Sequence, residues 1–357
     1  MTEATPFSVL VIGCGRVGSA LATMLLGSGR YETAVTDPTQ PGRLNAQRLG
    51  LPFVEADFLD PAGISRLVGN YDAVVAAVPT SATLRILRTA VHLGVHYLDL
   101  SDDVDVSQLP QLDNCRSAVI RQCGLFPGLV SSLIVDLASQ GSSNSDLEIN
   151  IGILPRTSEN RLGYGIVWDV DGLLREYTRP AAGIQDGVLM DLPALSAERR
   201  IHIEGRDYEA FLSGGVTSSM RGYFTGKVRS LWSRTMRYPG HLDYIRFLMD
   251  DLKLRTRPDI LRQLLSNGLP EVTRDRVVLH LTATDLESGV ETRRTYTKHL
   301  VSSDSDDMTI LQRAAASHVA AVLDLLRQGI LPDRGVTIQE EIPLASLKQN
   351  AFMSWFF

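Results

Sequence analysis

Residues 9–18 read Val-Leu-Val-Ile-Gly-Cys-Gly-Arg-Val-Gly, an apolar run that passes directly into a G-x-G-x-x-G repeat. No other part of the chain constrains the fold as strongly. A short strand has to end at Gly13, and helical periodicity follows over residues 19–26. In that setting each glycine has a separate reason to be there. Gly13 permits the tight turn, Gly15 lets the backbone approach a pyrophosphate, and Gly18 lets the helix pack closely on the strand. The helix opens through Arg16 and Val17, so its free N–H groups and positive dipole end face the phosphates.

The alternation of strand and helix continues along the chain. Strand-like runs at residues 32–36, 52–55, 72–78 and 96–100 are separated by helical or turn-rich pieces, with a helix over 80–93 that stops at Gly94. Strands alternating with helices predict a parallel sheet with right-handed crossovers. The character changes after Gly124. An apolar helix over 129–138 is followed by the polar stretch 139–145. Residues 148–154 then alternate as a strand, and 276–283 and 292–300 read as antiparallel strands joined through Glu287-Ser288-Gly289. The prediction is an α/β chain: a Rossmann dinucleotide-binding domain at 1–124, and an α+β domain with an antiparallel or mixed sheet at 125–307. An amphipathic helix over 311–327, with Gly329 as its C-cap, opens the closing segment 308–357.

A length of 357 residues supports two cores, and 44% hydrophobic with 21% charged residues is the balance of a folded globule. A net charge of −6 argues against a nucleic-acid surface. Cys14, Cys115 and Cys123 form no CxxC or metal spacing, so neither a disulfide framework nor a metal site is expected. The first apolar run is too short for a signal peptide and no run reaches membrane-spanning length, which makes the cytoplasm the expected location.

Cofactor candidates lie at the strand ends. Asp37, 19 residues past Gly18, is placed to accept hydrogen bonds from the adenosine ribose and to repel a 2′-phosphate, which favours NAD over NADP. Asp57 is placed to meet the adenine edge. Ala77 and Val78 leave room for the nicotinamide half, Pro79 shapes the floor, and Ser101 completes the set.

Four further stretches carry a resemblance. They are residues 90–100, with Gly94, Tyr97 and Asp99 in a G-x-x-Y-x-D segment; Cys123-Gly124-Leu125-Phe126-Pro127-Gly128-Leu129; residues 162–168 followed by Gly172-Leu173-Leu174-Arg175-Glu176-Tyr177; and Arg237-Tyr238-Pro239-Gly240-His241. In order and spacing these resemble the saccharopine dehydrogenase-like superfamily, and within it the lysine 6-dehydrogenase type most. The likeness covers roughly residues 7–250. Departures fall at Ile166, at Asp169 where relatives carry a small hydroxyl residue, and at Arg313-Ala314-Ala315-Ala316 where an Arg-Thr-Thr-Gly-like signature is usual.

The resemblance implies NAD-dependent oxidation of the lysine side-chain amine to a semialdehyde that cyclises to piperideine-6-carboxylate, acting on a small molecule, with residues 125–307 as the substrate-binding and dimerisation domain of a homodimer and the C-terminal helix, about 308–357, completing the Rossmann domain. Such a reaction needs a neutral amine, whereas a lysine ammonium has a pKa of about 10.4. It also needs a cationic anchor for the substrate carboxylate. Arg237 reads as that anchor, with Tyr238 beside it, and His241 reads as the proton acceptor. Asp102 and Asp103, after the fifth strand, are candidates for base or amine ligand. Tyr164 reads as a hydrogen-bond donor in the pocket and Trp168 as its cover. Glu176 reads as an ion-pair partner or an amine ligand, and Cys123 as a packing residue at the substrate side.

Two other functions fit the same pattern. A saccharopine- or carboxynorspermidine-type reductase would join an amine and a carbonyl compound, with Arg161, Arg179 or Arg221 as an added anchor. A non-catalytic nucleotide-binding protein would bind NADH and turn over no amine.

Overall fold

The computed structural model describes residues 6–56, 58, 60–101, 112, 115–142 and 144–357. The chain divides into two units, Met1–Leu133 with Gln312–Phe357, and Ile134–Leu311.

The first unit runs β1 (Phe7–Ile12), α1 (Arg16–Gly27), β2 (Tyr31–Thr36), α2 (Gln40–Arg48), α3 (Pro61–Val68), β3 (Ala73–Ala76), α4 (Thr80–Leu93), β4 (His96–Asp99) and β5 (Ala118–Ile120). These strands lie in the order β2-β1-β3-β4-β5, all parallel, and the late strand Gly335–Thr337 adds itself beside β5. The Rossmann alternation is therefore present. The run at 52–55, expected to be a strand, makes a single bridge from Val35 to Phe53. Pro52 has no N–H for a ladder, and only its carbonyl, which accepts from Val35, and the Val54 N–H contribute. Leu10, Ile12, Val74, Ala76, Tyr97 and Val119 of the sheet pack on Ile64 and Val68 of α3 and on Ile86, Leu87 and Ala90 of α4. Gly94, at φ 71°, ends α4 where a side chain would be strained.

The second unit takes up the chain within α5 (Leu129–Ser139), followed by β6 (Asp146–Pro155), α6 (Val170–Thr178), β7 (Ala181–Gln185), β8 (Val188–Leu192), β9 (Arg199–Ile203) and β10 (Arg206–Leu212). Then come α7 (Ser218–Phe224), β11 (Ser230–Arg237), α8 (His241–Arg246), α9 (Pro258–Gly268), β12 (Asp275–Glu287) and β13 (Val290–Val301). The sheet order is β13-β12-β6-β11-β10-β9, with β7 and β8 attached at β11. It is mixed: β6 runs parallel to β11 and antiparallel to β12. Glu287 pairs with Val290 across a two-residue turn in which Ser288 and Gly289 both have positive φ, the geometry that matches strand twist. The core joins Leu154, Met236, Val278 and Phe211 of the sheet to Leu173 and Leu174 of α6, Leu242 and Ile245 of α8, and Leu261 and Leu265 of α9.

The last elements are α10 (Ile310–Arg327), β14 (Gly335–Thr337) and α11 (Leu344–Gln349). In the first unit Asp324, 1% exposed, accepts from the Tyr31 hydroxyl at 2.7 Å, Arg327 at 2.9 Å, Gln328 at 2.7 Å and Asn350 at 2.9 Å. That hub ties α10 to β2 and to the closing segment. The aromatic tail is part of the same body: Trp355 donates to Ser317 at 2.8 Å, and Phe356 is buried. Among the described residues no helix is long and apolar enough to cross a membrane, and no cluster of His, Cys, Asp and Glu could hold a metal ion.

Candidate active site

The turn between β1 and α1 separates two kinds of glycine. A Cβ on Gly13 would lie 2.3 Å from the Ala77 carbonyl oxygen, and φ there is +105°. A Cβ on Gly18 would lie 2.0 Å from the Gly13 carbonyl oxygen. The protein's own backbone therefore requires both. A Cβ on Gly15 would meet nothing within 4 Å, and Gly15 is an exposed N-cap without a positive φ. Its lack of a side chain leaves open space beside the start of α1, where Arg16 and Val17 are half-buried. A pyrophosphate fits such a cradle.

Asp37 sits at the end of β2 and is held from two sides. Its Oδ2 accepts from the Cys14 N–H at 2.7 Å, and its Oδ1 accepts from the Thr39 N–H at 2.8 Å and the Thr39 hydroxyl at 2.6 Å. Thr39 in turn caps α2 through the Gly42 N–H, and a Cβ on Gly42 would strike the Asp37 carboxylate. Arg43 is taken up by Glu55. Burial, with Asp37 next, pushes the Cys14 thiol up to about 11, so it stays protonated. Asp57, Asp102 and Asp103 lie outside the described residues.

Ala77 and Val78, half-buried, and Pro79, exposed, follow β3 beside the glycine turn; the Ala77 N–H donates to the Ile12 carbonyl at 2.8 Å. Ser101 is buried, and its hydroxyl donates to Asp99 at 2.9 Å. Asp99 is the organiser at the ends of β4 and β5. It also accepts from Tyr97 at 3.0 Å, Arg121 at 3.3 Å and the N–H of Gln122 at 2.8 Å, the last from a backbone held at φ 62°. Cys123, read as a packing residue at the substrate side, is fully buried; its Sγ receives Gln339 at 3.2 Å, and burial raises its pKa.

In the second unit the sequence-marked residues of three separate stretches meet. Arg237 ends β11, Glu176 and Tyr177 lie on α6, and His241 opens α8. The Arg237 guanidinium donates to Glu176 at 3.0 Å and to the Met236 carbonyl at 3.1 Å, lies 4.6 Å over the Tyr164 ring and faces the Tyr177 hydroxyl. His241 Nδ1 lies 2.9 Å from the Leu162 carbonyl, which can only accept, so Nδ1 carries the proton. Nε2 then accepts from the Tyr177 hydroxyl at 2.7 Å. The Tyr164 ring stands edge-on to the imidazole at 5.5 Å.

This geometry bears on two expectations. His241 is neutral and its one basic nitrogen is occupied; burial, then the nearby Arg237 charge, push its pKa down to about 3. In this arrangement it orients Tyr177 and has no unoccupied basic nitrogen. Arg237 is 1% exposed and two of its nitrogens already have protein acceptors, so it is the partner of Glu176 and not a carboxylate anchor presented to solvent. Tyr238 is likewise turned inward: its hydroxyl donates to the Pro155 carbonyl at 2.8 Å and its ring stacks on Tyr208. Trp168 is half-buried against the first turn of α6, where a Cβ on Gly172 would lie 2.7 Å from its ring nitrogen. Asp169 caps that helix, accepting from the Gly172 N–H at 2.6 Å. A small hydroxyl residue would do the same, so this departure exchanges one cap for another.

Two residues of this arrangement were not singled out in the sequence. Tyr177 was visible only as the last letter of its motif. Glu209, which accepts from the N–H groups of Gly240 and Leu242 and so holds the turn before His241, has no local signal at all.

Comparison with known proteins follows the same division. A family model of the saccharopine dehydrogenase NADP binding domain matches residues 9–122, and one of the saccharopine dehydrogenase C-terminal domain matches residues 124–350. A curated relative from Pyricularia oryzae, saccharopine dehydrogenase (NADP(+), L-glutamate-forming), is 23% identical over 258 residues, covering 68% of this chain. The chain spans 57% of that relative's length. The solved apo saccharopine dehydrogenase (L-Glu forming) from Saccharomyces cerevisiae aligns over 98% of both chains, with a TM-score of 0.83 at 15% identity, a likeness of fold.

Proposed function

This chain belongs to the saccharopine dehydrogenase family, and from that premise we propose that it is an NAD-dependent dehydrogenase of a carbon–nitrogen bond in an amino acid, acting on the side-chain amine of lysine or a similar diamino acid. The observation that carries the reading is Gly15: two glycines of the turn answer to the protein's own backbone, while the third faces space the protein does not fill. A bound nicotinamide dinucleotide supplies hydride exchange with the substrate carbon. The residues that would hold it are Gly13, Gly15 and Gly18 with the start of α1, and Asp37 at the ribose position.

Asp37 supports NAD. Its carboxylate has about four acceptor sites and three protein donors, so it keeps capacity for a ribose hydroxyl. Its negative charge opposes a 2′-phosphate, while the nearby Arg43 is paired with Glu55. The matching family model and the fungal relative carry NADP in their names. The ratio of kcat/KM for NAD+ and NADP+ therefore tests this part, with NAD+ expected to be preferred by at least about tenfold.

The substrate half is tested by NADH formation from L-lysine, L-ornithine and simple diamines at about pH 9–10, where more of the amine is neutral. Turnover of a diamino acid is the expected result. A second reading rests on the comparisons, in which both the curated relative and the solved yeast protein are saccharopine dehydrogenases. In that case the measurable reaction is NAD(P)H consumption when L-glutamate, the product named for the curated relative, is offered together with an amino-acid semialdehyde, with no oxidation of lysine alone. NADH binding without any turnover would leave the non-catalytic reading.

A further inference from the structure

Three charged side chains gather at the carboxyl end of β2, and the backbone fastens each of them there. Asp37 follows the strand and is held by the N–H groups of Cys14 and Thr39. On one side α2 presses against it. Thr39 caps that helix, Gly42 has no room for a side chain beside the Asp37 carboxylate, and Arg43 is the next residue. On the other side residues 52–54 are pinned to the same strand. The Val35 N–H donates to the Pro52 carbonyl at 2.8 Å, and the Val54 N–H donates to the Val35 carbonyl at 2.9 Å. Glu55 comes next and takes the Arg43 guanidinium, which also lies 5.6 Å from the centre of the Phe53 ring. A guanidinium has five donors. Among the described residues Glu55 is the one side chain that accepts from this one. Both members of the pair reach solvent, Arg43 at 42% exposed and Glu55 at 65%, so the pair is weak. Any other anion must still break it before Arg43 can serve that anion.

Resting on the cofactor reading above, we infer that Glu55 is a specificity-determining residue for the dinucleotide: by engaging Arg43 it withholds from a ribose 2′-phosphate the cation that α2 brings beside Asp37. A 2′-phosphate arriving at Asp37 meets the carboxylate's charge and needs a counter-ion. Arg43 follows Gly42, which lies against that carboxylate, and its planar fork suits a phosphate. While Glu55 holds it, that fork is turned to another acceptor. A ribose that keeps its 2′-hydroxyl asks nothing of Arg43 and is served by Asp37. The preference for NAD then has two parts. One is the repulsion from Asp37 itself. The other is a counter-ion kept away by a residue from a separate stretch of chain, which packing brings to the end of β2.

The test is equilibrium binding of NADPH and NADH to the full chain, read by nicotinamide fluorescence with no substrate present. Glu55→Gln should tighten NADPH about fivefold, the upper end for one exposed ion pair, and move NADH by less than about twofold. Arg43→Met, which keeps an apolar stem over Phe53, should cancel that gain when added to Glu55→Gln. Alone it should change NADPH binding by less than about twofold. Both side chains are exposed, so neither substitution opens the core. The same cycle in an Asp37→Asn background keeps NADPH measurable if wild type binds it too weakly. A gain that survives Arg43→Met would overturn the inference, because Glu55 would then act by repelling the phosphate directly. So would the absence of any gain, or an Arg43→Met change that weakens NADPH as much in wild type as in Glu55→Gln. The cofactor reading fails separately. Wild type that binds NADPH more tightly than NADH would remove the NAD preference and leave the cycle to decide the role of Glu55, and binding of neither would overturn both.

Discussion

The phosphate turn after β1 and the buried chain around Arg237 are made of opposite materials. The turn consists of backbone, six consecutive residues in which two side chains are forbidden by contact and a third is absent beside open space. The chain consists of side chains drawn from residues 164, 176, 177, 237 and 241, with the carbonyl of 162 as its end stop. The turn is damaged by adding atoms and the chain by removing them. The first is a local problem that a short stretch of sequence can solve. The second exists only after α6, α8 and β11 have been packed together.

The contrast can be broken at several points. Arg237→Met should have the largest effect, because it takes away the buried cation that Glu176 faces. Removing one partner of such a pair costs about 3–5 kcal/mol, and the partial exposure of Glu176 places this case near the lower end. Urea unfolding measures it, and a loss below about 1 kcal/mol would mean that the pair does not form as described. Gly13→Ala comes next. With φ at +105° and a carbonyl 2.3 Å from the new Cβ, it should cost about 2–3 kcal/mol and abolish NADH binding in a fluorescence titration. Retained NADH affinity would show that the turn is not the phosphate cradle.

Tyr177→Phe should cost about 1–3 kcal/mol, since it leaves Nε2 of His241 buried without a donor. The same histidine sets an acid limit. Its folded pKa, pushed down to about 3 by burial and Arg237, lies below the unfolded value of about 6.5. Its contribution is therefore fully present above pH 6.5 and is lost as pH falls toward 3. Relative to His241→Asn, wild type should lose about 1.4 kcal/mol more stability per pH unit in that window. Parallel curves for the two proteins would show that His241 charges while folded. The smallest stability effect belongs to Gly15→Ala. It should change stability by less than about 0.5 kcal/mol yet weaken NADH at least about tenfold, because the added methyl meets only ligand space. Unchanged NADH affinity would detach Gly15 from the cofactor.

Much of the first unit was legible because its signals are local. The glycine turn follows its strand directly, α4 occupies Thr80–Leu93 as its periodicity implies, and Gly94 ends it. The strand expected at 52–55 shrank to one bridge because Pro52 cannot donate. In the second unit the long hairpin of β12 and β13 was readable from its alternation and its Ser288-Gly289 turn. The roles of Arg237 and His241 were not. Both residue types suit catalysis, and nothing in Arg-Tyr-Pro-Gly-His says which way the side chains point or which acceptor stands beside them.

By itself the sequence determined an α/β chain with a dinucleotide turn, because sterics and hydrogen bonding within a few consecutive residues suffice for it. It also placed the chemistry-bearing residues in recognisable motifs. Only the tertiary structure decided that Arg237 is the buried counter-ion of Glu176, that His241 is a neutral brace for Tyr177, and that Asp37 is bound to the glycine turn and the cap of α2. Burial and the identity of the nearest acceptor control charge and proton affinity, and both depend on residues far away in the chain.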